Sequence, residues 1–385
     1  MYRCIVSGIS TESAIIQTLE TYGVFISSCT VSRILTDDKE AYHQEKKDIV
    51  AEGIVSCLPK QMDDTGARVS GKNQYAHILC NGLFTAYFTR PHKDRLTLLE
   101  ILSQGTLTFK ANKLAYALME KMKLPAKFMK LLKVRLREKT LNRKKMDALL
   151  TKLFPDPEKH IKNRKIVLEA CAIAAYQALP HAIQILLTDE APQYNEITEL
   201  LGSCWIHEGR HYKKLTPSLA ANQKKVTAFL TRFWDYYRQL LMYKESPSPQ
   251  KAEKLSEKFD KLFTPTTGYD ALDKRIELTC SRKESLLLVL KHPELPLHNN
   301  ASELGARGQA RKRDISLHTM NKKGTEAKDT LMTIAETAKK HGVNIYHYFY
   351  DRITQKQEMP SLASLIKLAS SSAKGSLHPP VPQAA

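Results

Sequence analysis

The spacing of hydrophobic residues along the chain changes from a helical to a β-like period near residue 57. Before that point, apolar residues between positions 11 and 35 recur at helical spacing on either side of Tyr22-Gly23, which predicts two short helices joined by a turn. This pair fits a helix-turn-helix and a plain helical hairpin about equally well. A longer and highly charged helix is predicted over residues 37–54.

Short apolar runs beyond residue 57 predict β-strands. The Asn81-Gly82 dipeptide between two of these runs is a strong hairpin signal. Leucines at helical spacing then predict a helix over residues 95–103. The predicted strands are residues 61–65, 75–80, 83–89 and 185–189. Three antiparallel strands, a helix and a later strand are the order of an α/β fold with a ribonuclease-H-like mixed sheet and large all-helical insertions.

Two apolar stretches are interpreted as protein interior. The run 168–187 is interrupted by Glu169, Pro180 and His181, so it is a poor membrane span. The second predicted insertion contains an aromatic cluster, which is more often core than a platform for stacking bases. The aromatic residues of that cluster are Phe229, Phe233, Trp234, Tyr236 and Tyr237.

These patterns divide the chain into a core, two insertions and two ends. Residues 1–54 form an N-terminal helical region, and residues 55–109 and 183–215 form the two parts of the core. Residues 110–182 and 216–292 form helical insertions. Residues 293–355 carry a helix that bears a carboxylate, followed by another helix. Residues 356–385 form a tail that we expect to be partly disordered, after Ser370, because Ser, Pro and Ala dominate there.

The charge of the chain points to a polyanionic partner. The 59 Lys and Arg against 40 Asp and Glu give a net charge of +19, spread along the sequence. Such a balance favours nucleic acid over a small metabolite, although many soluble proteins are simply basic. The seven cysteines are scattered and lack paired C-x-x-C spacing, and no secretory leader is visible. We therefore expect a cytoplasmic protein without disulfide bonds or a structural zinc site.

The positive charge is densest in the first insertion, over residues 121–165. A solvated helix face would also be charged, but cations outnumber acids so heavily here that a surface contacting phosphates is favoured. The cations that we expect to contact DNA in this insertion are Lys130, Lys133, Arg135 and Arg137.

Two acidic residues stand at the ends of predicted strands. Asp63 precedes a turn containing a glycine, and Asp189 ends the apolar strand 185–189. Either alone would more often be a turn former. Because strand ends converge on one crevice in an open α/β sheet, we expect both carboxylates to face the same site. Side chains alternate along a strand, so only one of Asp63 and its neighbour Asp64 can face that crevice, and we favour Asp63.

A third acid, Glu303, stands in the first turn of a predicted helix. One interpretation is a capping box, with Asn300 as the N-cap residue and Glu303 three residues later, which does not exclude metal binding. Cations one to three turns further on suit DNA phosphates beside an acidic site. These cations are Arg307, Arg311, Lys312 and Arg313.

The block 295–353 resembles the C-terminal signature of bacterial insertion-sequence transposases of the insertion-sequence-66 type. It contains Leu-Pro-Leu-His-Asn-Asn-Ala-Ser-Glu and, near its end, Tyr-Phe-Tyr-Asp-Arg. The resemblance implies that Asp63, Asp189 and Glu303 are an Asp-Asp-Glu catalytic triad. The pair Cys204 and His207 is similar to the Cys-x-x-His element of these transposases. One such pair is too small for tetrahedral zinc, so we expect it to brace the strand bearing Asp189, or His207 to be an ordinary core residue.

The resemblance implies a DNA transposase that cuts transposon ends and transfers strands. Three carboxylates in one crevice repel each other, and hard oxygen ligands select Mg²⁺ or Mn²⁺. Two such ions about 4 Å apart can activate water or a 3′-hydroxyl and stabilise the leaving oxygen. The expected partner is double-stranded DNA in a bacterial cytoplasm, associated with the nucleoid and away from membranes. A homodimer or higher oligomer is expected because two transposon ends are paired.

Two departures from the family pattern keep other functions open. Leu304 stands where the family often has Arg after the Glu, so a phosphate contact is either missing or supplied by Arg307. Family members usually carry a longer N-terminal DNA-binding region, which leads us to expect incomplete recognition of terminal repeats. The rivals are a catalytically inactive remnant that acts as a DNA-binding protein or repressor, and a nuclease that lacks the joining step.

Overall fold

The computed structural model describes residues 10–136, 139–316 and 318–375, without the side chains of residues 374 and 375. Helices and strands are numbered here in chain order. They are α1 (Glu12–Glu20), α2 (Ser28–Thr36), α3 (Glu40–Val55), β1 (Lys60–Val69), β2 (Lys72–Cys80), β3 (Thr85–Arg90), α4 (Arg95–Leu102), β4 (Thr108–Lys110), α5 (Lys113–Lys121), α6 (Ala126–Arg135), β5 (Thr140–Asn142), α7 (Arg143–Leu153), α8 (Ile161–Gln177), β6 (Ile185–Thr188), β7 (Leu200–Ser203), α9 (Trp205–Lys213), α10 (Ala220–Glu245), α11 (Pro249–Leu262), α12 (Asp270–Cys280), α13 (Lys283–Leu286), α14 (Asn300–Ser316), α15 (Lys322–Lys340), α16 (Ile345–Ile353) and α17 (Leu362–Gly375).

The first two helices have local sequence causes. Thr11 accepts the N–H of Ala14 at the start of α1, and Ser27 accepts the N–H of Thr30 at the start of α2, so each helix has a side-chain N-cap. Between them the chain turns at Gly23, whose φ of 74° is a left-handed conformation that glycine adopts without strain. The predicted pair of helices and its turn are thus present.

A mixed five-stranded sheet forms the centre of the molecule. Its strand order is β3-β2-β1-β6-β7. The hairpin strands β1, β2 and β3 pair antiparallel, whereas β6 runs parallel to β1 and β7 runs parallel to β6. The predicted α/β class and mixed sheet are therefore confirmed. Strand β7 was not predicted because its four residues, Leu200–Ser203, end in Gly-Ser and have no alternating apolar pattern.

Helices cover both faces of this sheet. Helix α8 is buried almost all round from Ile166 to Tyr176, in agreement with the interior position predicted for that apolar run. Helices α14 and α15 pack against the hairpin strands. Within the part of the chain that the structure describes, no helix is both long and apolar enough to cross a membrane.

The two insertions differ in their internal structure. The first, residues 110–182, contains α5 to α8 and is not wholly helical, because β5 lies within it and pairs antiparallel with β4 at its start. The second contains α10 to α13 around a separate core in which Phe229, Phe233 and Tyr236 are buried, as expected. Helix α17 continues to Gly375, so disorder does not begin at Ser370 as predicted, and residues 376–385 lie outside the described residues.

Candidate active site at the carboxyl ends of β1 and β6

Asp63 and Asp189 occupy equivalent levels on the two central parallel strands. In the register of β1 and β6, Gln61 aligns with Leu187, and each acid lies two residues further along its own strand direction. Neighbouring strands are about 4.8 Å apart, so equivalent positions bring the two side chains to the same edge of the sheet. The predicted strand end and turn just after Asp63 are wrong, because β1 continues through Gly66 to Val69, still paired with β2. The two acids meet where the parallel pairing of β1 with β6 ends, after Gln61 and Leu187.

The carboxyl of Asp63 is mostly buried. Its pKa is raised from 3.8 to about 7, mainly by burial and also by the negative charges of Asp189, Asp64 and Glu303. The N–H of Asp64, which donates a hydrogen bond of 2.8 Å to this carboxyl, acts in the opposite direction and lowers the pKa. Burial also raises the pKa of Asp189, although the hydrogen bond from the Ala191 N–H and the charge of His207 lower it. Among the described residues, neither Asp63 nor Asp189 has a cation within ion-pair distance.

Asp64 has other partners. Its carboxylate accepts a hydrogen bond of 3.1 Å from Gln193 and lies 3.6 Å from the Nζ of Lys93. It still lies close enough to raise the pKa values of both Asp63 and Asp189. Asp64 thus differs from Asp63 in having a hydrogen-bond donor and a cation beside it, and the choice of Asp63 as the first acid stays a prediction.

Helix α14 brings Glu303 against the sheet. At its start the Gln61 side chain of β1 accepts the N–H of Ala301 at 3.2 Å. One turn later, Gly305 lies so close to β2 that a Cβ there would be 2.8 Å from Cγ2 of Ile78. The predicted capping box is not formed: Asn300 is already helical, and the Glu303 carboxylate is hydrogen-bonded elsewhere.

The Glu303 carboxylate is held mainly by a cation from α9. Arg210 donates to both oxygens, at 3.1 and 2.9 Å. His207 Nδ1 lies 3.6 Å from one oxygen, and the exposed Arg307 lies 3.8 Å from the other. The side chain of Leu304, next to Glu303, is 63% exposed. Arg210 thus supplies the close positive charge at this acid.

Backbone hydrogen bonds through Cys204 join the three segments that bear the acids. The N–H of Cys204 donates to the carbonyl of Thr188, immediately before Asp189. Its thiol accepts the N–H of Asn299 at 3.3 Å, and the Asn299 side chain donates to the carbonyl of Met62 at 3.1 Å. Burial raises the pKa of the Cys204 thiol. A neutral, buried thiol therefore lies where the ends of β1 and β6 meet the start of α14.

Cys204, His207 and Glu303 also lie close to one another. One ligand atom from each falls within 4.8 Å of the others, and no other such group of His, Cys, Asp or Glu occurs among the described residues. The carboxylate oxygens of Asp63, Asp189 and Glu303 therefore do not all lie within that distance of one another. Because Arg210 occupies Glu303 and the thiol accepts the Asn299 N–H, this group resembles packing around the acids more than a zinc site.

A cluster of buried charges fixes α9 to the second insertion. Arg275 of α12 donates to Glu190 at 2.9 Å and to Glu208 at 2.5 Å. Arg282 contacts the same two acids, at 2.7 and 3.2 Å. Burial by itself would raise the pKa of Glu190, but the two guanidinium groups lower it to about 2. Since Glu190 follows Asp189, the insertion is tied directly to the site.

The four cations predicted on α14 have different environments. Arg307 and Arg311 are exposed and lie one and two turns beyond Glu303 on the same helix face. Lys312 is buried, and Arg313 donates to the carbonyl of Gly66 at 2.8 Å. Arg307 and Arg311 are therefore the members of this group that are open to a phosphate.

In the first insertion, Lys130, Lys133 and Arg135 are exposed on α6, whereas Arg137 lies outside the described residues. Exposed Val134 shares this surface with them. The cationic surface expected from the sequence is thus open to solvent over the described part of the insertion.

Arg210 is the functional residue that the sequence reasoning missed. A signal for it exists, because basic or imidazole side chains recur at 207, 210, 211 and 214, which is the spacing of one helix face. The same face lines a cavity together with Asp189 and Glu190.

The fold and site define a mixed α/β protein with an acidic crevice at the end of its parallel strands. The family model described as "Transposase IS66 family" matches residues 172–327, which include Asp189 and Glu303. The protein is similar to the "Uncharacterized protein y4jO" of Sinorhizobium fredii (strain NBRC 101917 / NGR234), with 29% identity over 320 residues covering 82% of this chain and 98% of that protein. The match over residues 172–327 is consistent with an IS66-type transposase, as the sequence suggested.

Proposed function

We propose that this protein is a DNA transposase of the Asp-Asp-Glu class on a ribonuclease-H-like core. The observation that carries the proposal is the meeting of Asp63, Asp189 and Glu303, from three separate chain segments, at one sheet edge. The strand order β3-β2-β1-β6-β7, with β2 antiparallel to the rest, supports the ribonuclease-H-like assignment. The family match over residues 172–327 supports transposition as the biological role.

The donor set suits divalent metal ions. Asp63 and Asp189 are mostly buried acids without a cation within ion-pair distance among the described residues, and the Oδ1 of buried Asn299 has no hydrogen-bond partner among them. Like charges held together in this way are a cost to folding unless cations enter. Oxygen ligands of this kind select Mg²⁺ or Mn²⁺. We propose that Asp63, Asp189 and Glu303 hold two such ions, which would activate water or a 3′-hydroxyl and stabilise the leaving oxygen.

The remaining residues of the site position these acids. Cys204 and Asn299 connect the ends of β1 and β6 to the start of α14 by hydrogen bonds. The cluster of Glu190, Glu208, Arg275 and Arg282 keeps α9 beside Asp189. Arg307 and Arg311 would orient the DNA strand by contacting its phosphates. Because the fixed framework holds the acids before substrate arrives, little reorganisation is needed during reaction.

The experiment is a cleavage and joining assay on a transposon-end duplex with Mn²⁺ present. Replacing Glu303 by Gln removes one charge and nearly conserves shape, so cleavage should fall at least about 100-fold while folding is retained. Asp63→Asn and Asp189→Asn should do the same. A chain that binds DNA but never cleaves it would instead be the inactive remnant, and cleavage without joining would identify a nuclease.

Asp64→Asn is the matched control for Asp63→Asn, because the two changes are identical and adjacent in sequence. The Asp64 carboxylate is held by Gln193, so its loss should reduce cleavage far less. Equal losses in the two variants would mean that the first acid is wrongly assigned. Near-normal cleavage by Glu303→Gln would show that the three acids do not form a catalytic triad. A related transposase can supply end recognition in these assays if this protein binds transposon ends weakly.

A further inference from the structure

One face of α9 borders the acidic site with positive or protonatable side chains. His207, Arg210, His211 and Lys214 lie on it at the spacing of adjacent helical turns. Together with Asp189, Glu190 and Ala191 they line a cavity of about 390 Å³. Acids therefore form one wall of this cavity, and α9 forms the other.

Arg210 connects this cavity to Glu303, which does not line it. Its guanidinium donates to both oxygens of Glu303, at 3.1 and 2.9 Å. The Glu303 side chain is 12% exposed, whereas the Arg210 side chain is 41% exposed. Arg210 thus covers Glu303 from the solvent side, where an incoming ion or strand would arrive.

This contact conflicts with the proposed role of Glu303. A carboxylate whose two oxygens both accept from a guanidinium has limited capacity left for a metal ion. Helix α9 cannot easily withdraw, because Glu208 on it is 1% exposed and paired with Arg275 and Arg282. The long side chain of Arg210 is the part free to move.

We propose that Arg210 is an exchangeable counter-ion, an inference that rests on the proposed function. It neutralises Glu303 while no metal is bound. When a divalent ion takes Glu303, the guanidinium turns into the cavity and binds a phosphate of the DNA strand.

The chemistry of the cavity fits that second partner. A guanidinium binds the oxygens of a phosphodiester with the same two-pronged geometry that it uses for a carboxylate. His211 and Lys214 on the same face add cationic or donor groups beside it. The change of partner therefore keeps a cation at Glu303 at each stage, the guanidinium in the metal-free site and the divalent ion in the loaded site.

The test separates metal binding from DNA binding in Arg210→Gln. Without DNA, the Mn²⁺ concentration that gives half of the rise in melting temperature should fall several-fold, because the competitor for Glu303 is gone. Affinity for a short duplex, measured with Ca²⁺ so that no cleavage occurs, should fall about tenfold, as expected for a lost charge-assisted pair. A purely structural role for Arg210 would instead weaken both.

Lys213→Gln is the matched control. It removes one positive charge from the same helix, but Lys213 lies over the ring of Trp234, 5.3 Å from its centroid, and does not line the cavity. Its Mn²⁺ midpoint should equal that of the wild type. Arg210→Lys keeps the positive charge but loses the two-pronged guanidinium. It should shift the Mn²⁺ midpoint and the DNA affinity in the same directions as Arg210→Gln, by smaller amounts. This variant also provides the test if Arg210→Gln folds poorly.

The outcomes identify which idea fails. An Mn²⁺ midpoint that rises or stays the same in both Arg210 variants overturns the exchange, as does unchanged DNA affinity. If the wild type and Glu303→Gln respond identically to Mn²⁺, the proposed metal site itself is wrong. A response that depends on Glu303 but not on Arg210 rejects only the exchange.

Discussion

Arg210 and Glu303 are 93 residues apart in sequence and form a two-pronged ion pair at the edge of the acidic crevice. The pair links α9, which follows β7, to α14, which packs on β1 and β2. The hydrogen bonds of Cys204 and Asn299 join the starts of both helices to β1 and β6, and the Arg275 cluster joins α9 to the second insertion.

The first prediction concerns pH and Asp63. Its pKa is about 7 in the folded protein against an ordinary value of 3.8, so between about pH 4 and pH 7 the folded state keeps a proton that the unfolded state loses. Stability of the metal-free protein should therefore fall as pH rises through this window. Asp63→Asn should remove this contribution and stabilise the protein at pH 8 more than at pH 4. Urea unfolding at the two pH values in a chelator measures the difference.

Asp38→Asn is the control for that experiment. Asp38 is exposed in a turn and has a φ of 52°, which asparagine tolerates well. Its replacement should leave the difference between the two pH values as in the wild type. If Asp63→Asn gives no larger gain at pH 8 than at pH 4, burial of this carboxyl is not what the structure indicates.

The second prediction concerns the buried charges behind Asp189. Arg275→Met leaves Glu208 buried with one guanidinium instead of two, and removing one partner of a buried ion pair costs about 3–5 kcal/mol. The free energy of unfolding should drop by that order, and cleavage should drop with it because Glu190 adjoins Asp189. Denaturant unfolding followed by circular dichroism measures the loss.

Two further variants distinguish charge from packing at this cluster. Arg275→Met combined with Glu208→Gln removes the uncompensated charge and should recover part of the lost stability. Arg238→Met breaks an exposed pair with Asp235 in the same insertion and should cost less than about 1 kcal/mol. Equal losses for Arg238→Met and Arg275→Met would show that the cluster has no special role.

The residues of the candidate site differ in how far sequence alone could predict them. Asp189 at a strand end and Glu303 at a helix start stand in local patterns that could be read directly. Asp63 was chosen from a predicted strand end, although β1 continues beyond it to Val69. Helix α15 and the hairpin strands follow from periodicity in the same way. By contrast, the Arg210–Glu303 pair and the Arg275 cluster depend on tertiary packing between segments distant in sequence. The capping box was wrong because Gln61, from another strand, caps α14 instead.

The third prediction concerns the approach of α14 to the sheet. A Cβ at position 305 would be 2.8 Å from Cγ2 of Ile78, so Gly305→Ala must push the helix away from β2. Glu303 would move with it, and cleavage should fall at least about tenfold, since small displacements of catalytic groups cost that much or more. At Gly308 a Cβ would be 3.4 Å from the Tyr87 hydroxyl, so Gly308→Ala is the tolerated control. Similar activity in both variants would contradict this geometry.

The last prediction concerns non-specific DNA binding. Lys130, Lys133 and Arg135 are exposed on α6, and Arg137 follows them in the sequence. Each phosphate contact adds about 0.9 to the slope of log affinity against log salt concentration, because it releases condensed counterions. Changing all four cations to Gln should therefore reduce that slope by about 2 to 4, measured by fluorescence anisotropy with a duplex of unrelated sequence. Changing Arg307 and Arg311 to Gln should reduce it by about 2 at most, since two contacts are lost. If the slope is unchanged in the fourfold variant but reduced in the twofold variant, the DNA lies on α14 and the first insertion serves another purpose.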